Sequence, residues 1–145
     1  MSVKDIMQSE VTTLRLDDNL DIADDIMTLG RVRHLPVVDA EGRLVGLVTH
    51  RDLLKASVAS VLNLGRGAEK DWLGAIPVRI VMATDLATVA PQTSIGEAVD
   101  LMITRKIGCI PVTENGKLVG LLTESDCLGY LKDLLRGAAT PDSRN

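Results

Sequence analysis

At 145 residues with a formal net charge of -4, the chain has the length of one compact domain and the wrong charge for a nucleic acid held mainly through phosphates. Apolar residues make up 46% but aromatics only 1% (Trp72 and Tyr130, no Phe), so the core must be built from Val, Leu, Ile, Met and Ala, and base stacking is disfavoured. No apolar run approaches a membrane span, and Met1-Ser2-Val3-Lys4-Asp5 lacks the features of a signal peptide, so the expectation is a soluble cytoplasmic protein without a membrane partner.

In chain order, Val11 to Leu14 is expected to be extended, and Asp17 to Leu29 to form a helix with Ile22, Ala23, Ile26, Met27 and Leu29 on one face. Asp17, Asp18 and Asp21 crowd its start, where carboxylates favour the helix dipole, and Gly30 is placed to end it. His34 to Val38 and Arg43 to Val48 form a hairpin around Asp39-Ala40-Glu41-Gly42. A helix opens at Thr49, with Leu54, Val58, Val61 and Leu62 on one face. Gly65-Arg66-Gly67 breaks it, and Gly74 with Pro77 closes a linker. Trp72 in that linker either caps the core or makes a dimer or partner contact, since Trp is favoured at interface centres.

The second half repeats the order. Thr88-Val89 is extended, and a helix starts at Ser94, with Ser94 and Glu97 as a capping box and Ile95, Ala98, Val99 and Met102 as its apolar face. Ile110 to Val112 and Leu118 to Leu122 form a hairpin, and Thr123 opens the last helix with Leu128, Leu131 and Leu135 inward. Each unit is therefore extended–α–β–β–α.

The repetition extends to individual residues. Gly46-Leu47-Val48-Thr49-His50-Arg51-Asp52 returns as Gly120-Leu121-Leu122-Thr123-Glu124-Ser125-Asp126, and Leu35-Pro36-Val37-Val38 as Ile110-Pro111-Val112-Thr113. Val3-Lys4-Asp5-Ile6-Met7 returns as Val78-Arg79-Ile80-Val81-Met82; the offset is about 75 positions, a tandem duplication rather than a solenoid. The boundaries are 3–64 for the first repeat, 65–77 for a linker, 78–136 for the second repeat and 137–145 for a polar, frayed tail. Met7, Met27, Met82 and Met102 recur at matching positions as adaptable core filler.

The chemistry concentrates in Thr49-x-x-Asp52 and Thr123-x-x-Asp126, each at a helix start after a Gly-containing strand. One reading is a helix cap. The other is a ligand site, in which the helix N-terminus and the Thr hydroxyl face an anion, the Asp accepts hydrogen bonds from a sugar diol, and Gly46 or Gly120 permits close approach. A phosphate and a ribose held a few ångströms apart describe a nucleotide.

The pattern resembles the tandem cystathionine-β-synthase (CBS) domain pair, the Bateman module. Its marks are an x-Pro-Val strand, a turn with Gly and a Gly-h-h-Thr/Ser-x-x-Asp signature, where h is apolar. They occur twice, at Pro36, Gly42, Gly46, Thr49 and Asp52 and at Pro111, Gly116, Gly120, Thr123 and Asp126. The resemblance implies an α+β fold of two pseudo-symmetric repeats packed as one pair. It also implies clefts for AMP, ADP, ATP or S-adenosylmethionine, with Asp on the ribose and Thr near the phosphate. By that resemblance Thr49 and Asp52 act with Thr88, Val89 and Pro91, and Thr123 and Asp126 with Thr13 and Leu14.

Arg31-Val32-Arg33-His34 is either a solvated helix end favouring the dipole or, by the resemblance, a phosphate contact; the matching stretch Lys106-Ile107-Gly108-Cys109 carries one cation. The Thr49/Asp52 cleft is expected to suit anionic nucleotides better. The Thr123/Asp126 cleft is expected to take a less charged ligand, stay empty or borrow the first repeat's cations.

His34 and His50 have no Cys or carboxylate at metal-ligand spacing, and Cys109 and Cys127 form neither a disulfide framework nor an oriented nucleophile, so neither zinc nor catalysis is expected. The expectation is a regulatory module that needs no cofactor. It would bind an adenosine ligand, form a homodimer and act in trans on a protein target. The alternative is a dimerising scaffold whose Thr-x-x-Asp pairs are caps only.

Overall fold

The computed structural model describes residues 1–64 and 69–139. The fold is α+β. The chain divides into two compact units: one comprises 12–86, the other 1–11 together with the chain from Ala87 onward.

In the unit of 12–86, β1 (Leu14–Arg15) is followed by α1 (Leu20–Gly30), β2 (His34–Val38), β3 (Leu44–Thr49), α2 (His50–Leu64), α3 (Glu69–Gly74) and α4 (Val78–Val81). The strands form one sheet in the order β1-β2-β3, with β1 parallel and β3 antiparallel to β2. Pro36 lies opposite Leu47 and His34 opposite Thr49. The core gathers Leu14, Leu20, Ala23, Met27, Leu35, Val37, Val48, Leu53, Leu73 and Val78.

The other unit opens with a 3-10 turn at Val3–Asp5 and continues through α5 (Ile95–Arg105), β4 (Cys109–Glu114), β5 (Lys117–Thr123) and α6 (Glu124–Ala139). Here β4 and β5 pair antiparallel, and Val89 bridges in parallel to Val112. Val3, Ala98, Met102, Ile110, Val112 and Leu122 form its core.

The sequence repeats and the compact units are cut differently. Val3–Met7 opens the first repeat in the chain but packs with the second, where Val3 N–H donates to Thr93 O at 2.8 Å. Val78–Met82 packs with the first repeat, where Val78 N–H donates to Asp18 O at 2.8 Å. Fully buried Val3 and Val78 anchor the two segments in those cores.

Several local expectations are corrected. Helix α1 starts at Leu20, so its buried face is Leu20, Ala23 and Met27, while Ile22 and Leu29 are exposed. Asp17 and Asp18 lie before the helix: Asp18 Oδ2 accepts from Arg15 N–H at 2.8 Å, and Asp17 meets Arg79 at 3.7 Å. Gly30 is the last helical residue, and the left-handed position falls on Arg31, at φ 54°. On α5 one arm of the expected capping box is present, Ser94 Oγ accepting from Glu97 N–H at 3.1 Å. The leucines expected inward on α6 are exposed, Leu128 at 63%, Leu131 at 48% and Leu135 at 60%. Leu54, Val58 and Leu62 are likewise exposed on α2, which buries Leu53 instead.

The linker is partly helical. Leu73 of α3 is buried in the first repeat's core, and Trp72 packs against that core, with no hydrogen-bond partner for its buried Nε1 among the described residues. The expected break at 65–67 lies outside the described residues. Helix α6 runs on to Ala139, and the remaining tail lies outside the description.

The two hairpins differ by one residue for a turn-chemical reason. Asp39 Oδ1 closes the first turn by accepting from Glu41 and Arg43 N–H, each at 2.9 Å, with Gly42 at φ 81°. The second is the tighter Asn115-Gly116 turn, with φ 54° and 81°, the two-residue pattern that suits hairpin twist.

Candidate functional site

Each β-hairpin delivers a Thr at its end, and the chain turns there into a helix. Thr49 N–H and Oγ1–H both donate to Asp52 Oδ2, at 2.9 and 3.0 Å, and Asp52 N–H returns a bond to Thr49 Oγ1 at 3.3 Å. Thr123 and Asp126 repeat this at 2.9, 3.0 and 3.3 Å. This is a reciprocal capping box with Asp in the place usually held by Glu. The Thr hydroxyl is engaged in both directions, and Oδ2 of each Asp is taken. Among the described residues Oδ1 of Asp52 has no hydrogen bond.

The basic stretch arrives at the same place. Arg33 O accepts from His50 N–H at 2.8 Å, and His34 is registered opposite Thr49, so Arg31, Arg33 and His34 border the start of α2. Arg31 and Arg33 are exposed and His34 is half-buried. In the other unit Gly108 O accepts from Glu124 N–H at 3.0 Å, and Cys109 lies opposite Thr123. Exposed Lys106 takes the left-handed conformation that Arg31 takes in the first, at φ 53°. One helix start is thus bordered by two arginines, and the other by one lysine with Glu124 in its first turn.

Other expected residues have plainer roles. A Cβ on Gly46 would strike Met82 Sδ, and one on Gly120 would lie 2.5 Å from Met7 Sδ and 2.9 Å from Gln8 O. Packing of a methionine against each glycine is by itself a reason for the missing Cβ. Leu14 is fully buried in the core, and Pro36, Pro91 and Pro111 are buried too. Pro91 O accepts from Lys4 N–H at 2.9 Å, and Val89 is tied to Pro111 O and Thr113 N–H at 3.2 and 2.9 Å. Thr13 is half-buried and Thr88 exposed. The structure groups Thr13 and Leu14 in one unit with Thr49 and Asp52, and Thr88, Val89 and Pro91 with Thr123 and Asp126.

Sequence reasoning missed Gln8. Its Nε2 lies 3.4 Å from both carboxylate oxygens of Asp126. The signal available was its position: it follows Met7, as Ala83 follows Met82.

Both thiols are biased toward the protonated form. Burial, with Glu124's charge adding, pushes Cys109 up to about 12, and burial followed by the Asp126 and Glu124 charges raises Cys127. Among the described residues no group of three His, Cys, Asp or Glu side chains could hold a metal, and no helix is long and apolar enough to cross a membrane.

The family model for the CBS domain matches twice, over residues 3–59 and 73–133. The chain belongs to the CBS domain family. A Dictyostelium discoideum CBS domain-containing protein is 32% identical over 134 residues, spanning 92% of each chain. A Vibrio cholerae crystal structure named for acetoin utilization superposes with a TM-score of 0.80 at 35% identity, covering 96% of each chain. The crystal structure of CBSX2 in complex with AMP is 25% identical, with a TM-score of 0.78, over 93% of this chain and 98% of that one. Some CBS relatives are longer: the chain spans 33% of a Methanocaldococcus jannaschii protein and 13% of a Geobacter sulfurreducens A-adding tRNA nucleotidyltransferase. CBS domains are generally regulatory rather than catalytic, and in such enzymes the matching region is one part of a longer chain.

Proposed function

We propose that the chain is a sensor of an adenosine nucleotide, with AMP the first candidate and ADP, ATP and S-adenosylmethionine behind it. The observation that carries this is the division of labour within Asp52. Oδ2 closes the helix cap, while Oδ1 has no hydrogen bond among the described residues and can accept from a ribose hydroxyl. Capping and binding therefore coexist in one residue. Arg31 and Arg33, bordering the same helix start, supply charge for a phosphate. The AMP complex of CBSX2 supports the ligand class.

Sensing needs an output. The ligand must bind two arrangements with different affinity, and the response is read by a separate protein target in the cytoplasm. A homodimer is the favoured assembly. Leu54, Val58 and Leu62 recur every four residues on α2, and Leu128, Leu131 and Leu135 form a second exposed stripe on α6; exposed apolar stripes of this kind mark interaction faces.

Thermal unfolding against AMP, ADP, ATP and S-adenosylmethionine tests the reading. A ligand at about 100 times its dissociation constant adds roughly 2.7 kcal/mol and raises the midpoint by several degrees. Asp52→Ala should cost about 0.5–2 kcal/mol as a lost cap and abolish the ligand-induced rise at that site. A rise that survives both Asp52→Ala and Asp126→Ala would leave the pairs as caps and put the ligand elsewhere, and no rise with any of the four ligands would favour the scaffold that binds none.

A further inference from the structure

We propose that Gln8 is a built-in competitor for the Asp126 carboxylate, so that the two signature aspartates answer to different ligand concentrations. The inference rests on the reading of these aspartates as acceptors for a sugar diol, and it goes beyond that reading by ranking them.

The backbone places Gln8 without ambiguity. Gln8 N–H donates to Leu121 O and Leu121 N–H to Gln8 O, both at 2.9 Å, beside the strand that ends at Thr123. Its amide then reaches Asp126, with Nε2 at 3.4 Å from Oδ1 and from Oδ2. Oδ2 already accepts from Thr123 N–H and Oγ1–H, so the acceptor capacity left for a ligand is chiefly that of Oδ1. An amide NH2 offers two donors on one atom, and a ribose diol offers two on adjacent carbons. Both make the same demand on the carboxylate.

The other unit provides the comparison. Ala83 is held to Leu47 by the same pair of backbone bonds, at 3.0 and 2.9 Å, but it ends in a methyl group. Among the described residues no side-chain amide reaches Asp52. Both contacts of the Gln8 amide are long and its side chain is exposed, so it yields to a ligand instead of sealing the site. The consequence is a graded response: the Asp52 position fills first, and Asp126 fills after Gln8 swings away.

The test is calorimetric titration of the full chain with AMP and, separately, with S-adenosylmethionine. Gln8→Ala should tighten the sites lost in Asp126→Ala by about three- to ten-fold, the worth of one exchanged hydrogen bond. Ala83→Gln should weaken the sites lost in Asp52→Ala by a similar factor. If Asp126→Ala removes a class of sites whose affinity Gln8→Ala leaves unchanged or weakens, Gln8 is no competitor and the sensor reading stands. If neither probe depends on Asp52 or Asp126, the sensor reading fails and this inference fails with it. A ligand-free readout guards the geometry. The Gln8 side-chain amide resonances should move in Asp126→Ala and stay in place in Asp52→Ala; immobility in both would overturn the contact. Gln8 is exposed, so Gln8→Ala carries the test even where Ala83→Gln folds poorly.

Discussion

Arg33 and His50 are joined by a 2.8 Å hydrogen bond from the His50 N–H to the Arg33 carbonyl, which sets the basic stretch 31–34 beside the first turn of α2. The bond is made by backbone, so it fixes where the main chain of this stretch stands irrespective of its side chains. It also explains why a stretch that follows one helix borders the start of another.

Arg31 holds a left-handed conformation that a glycine adopts without strain. Relief of about 1–2 kcal/mol of left-handed strain outweighs the roughly 0.5–1 kcal/mol of backbone entropy that glycine adds. Arg31→Gly should therefore raise stability by roughly 0.5–1 kcal/mol while weakening AMP binding, and added salt should weaken binding more in the wild type than in the variant. Chemical denaturation and titration on the same variant measure both. A variant that loses stability would show that the Arg31 side chain holds the turn.

The two signature glycines should differ in their tolerance. At Gly46 the obstructing atoms all belong to the Met82 side chain, whereas at Gly120 they include the Gln8 carbonyl. Gly46→Ala should cost about 1–3 kcal/mol as overpacking. Adding Met82→Ala should recover part of that loss, because it removes the two nearest atoms and leaves Met82 Cβ at 3.1 Å. Gly120→Ala should cost more and be recovered less by Met7→Ala. Equal rescue in the two units would remove the backbone obstruction as the cause.

The exposed stripes predict the oligomeric state. Val58→Lys and Leu131→Lys place charges at positions 57% and 48% exposed, where the isolated chain tolerates them. Sedimentation should show a dimer converted to monomer with an unfolding midpoint measured for the monomer that stays within a few degrees of the parent's. A wild-type chain that sediments as a monomer across the accessible concentration range would dismiss the dimer.

Cys109 should resist chemistry that Cys127 permits. Its thiol, raised to about 12, supplies almost no thiolate at neutral pH, and it is only 4% exposed. Brief iodoacetamide treatment at pH 8 followed by mass spectrometry should find Cys127 modified slowly and Cys109 intact until the protein is unfolded. Modification of both at the same rate would contradict the burial that produces the shift.

Much of this molecule could be read from near neighbours in the chain. The hairpins, both helix starts and the Thr-x-x-Asp pairs depend on turn chemistry and contacts three or four residues long, such as Thr49 with Asp52. The apolar faces of α2 and α6 were also visible, but helical periodicity states only that a face exists. Leu128 and Leu131 look the same in sequence whether a core or solvent receives them, and the structure leaves them exposed.

What the sequence by itself determined was the duplication, the family, the strands and the paired caps, because each rests on local steric and hydrogen-bonding rules. Tertiary structure alone decided that Val3–Met7 packs with the second repeat and Val78–Met82 with the first, that methionines fill the space at Gly46 and Gly120, and that Gln8 covers Asp126. Gln8 and Asp126 stand 118 positions apart. Contacts of that separation follow from which surfaces bury the most apolar area in the folded chain, and no periodicity along the sequence records that choice.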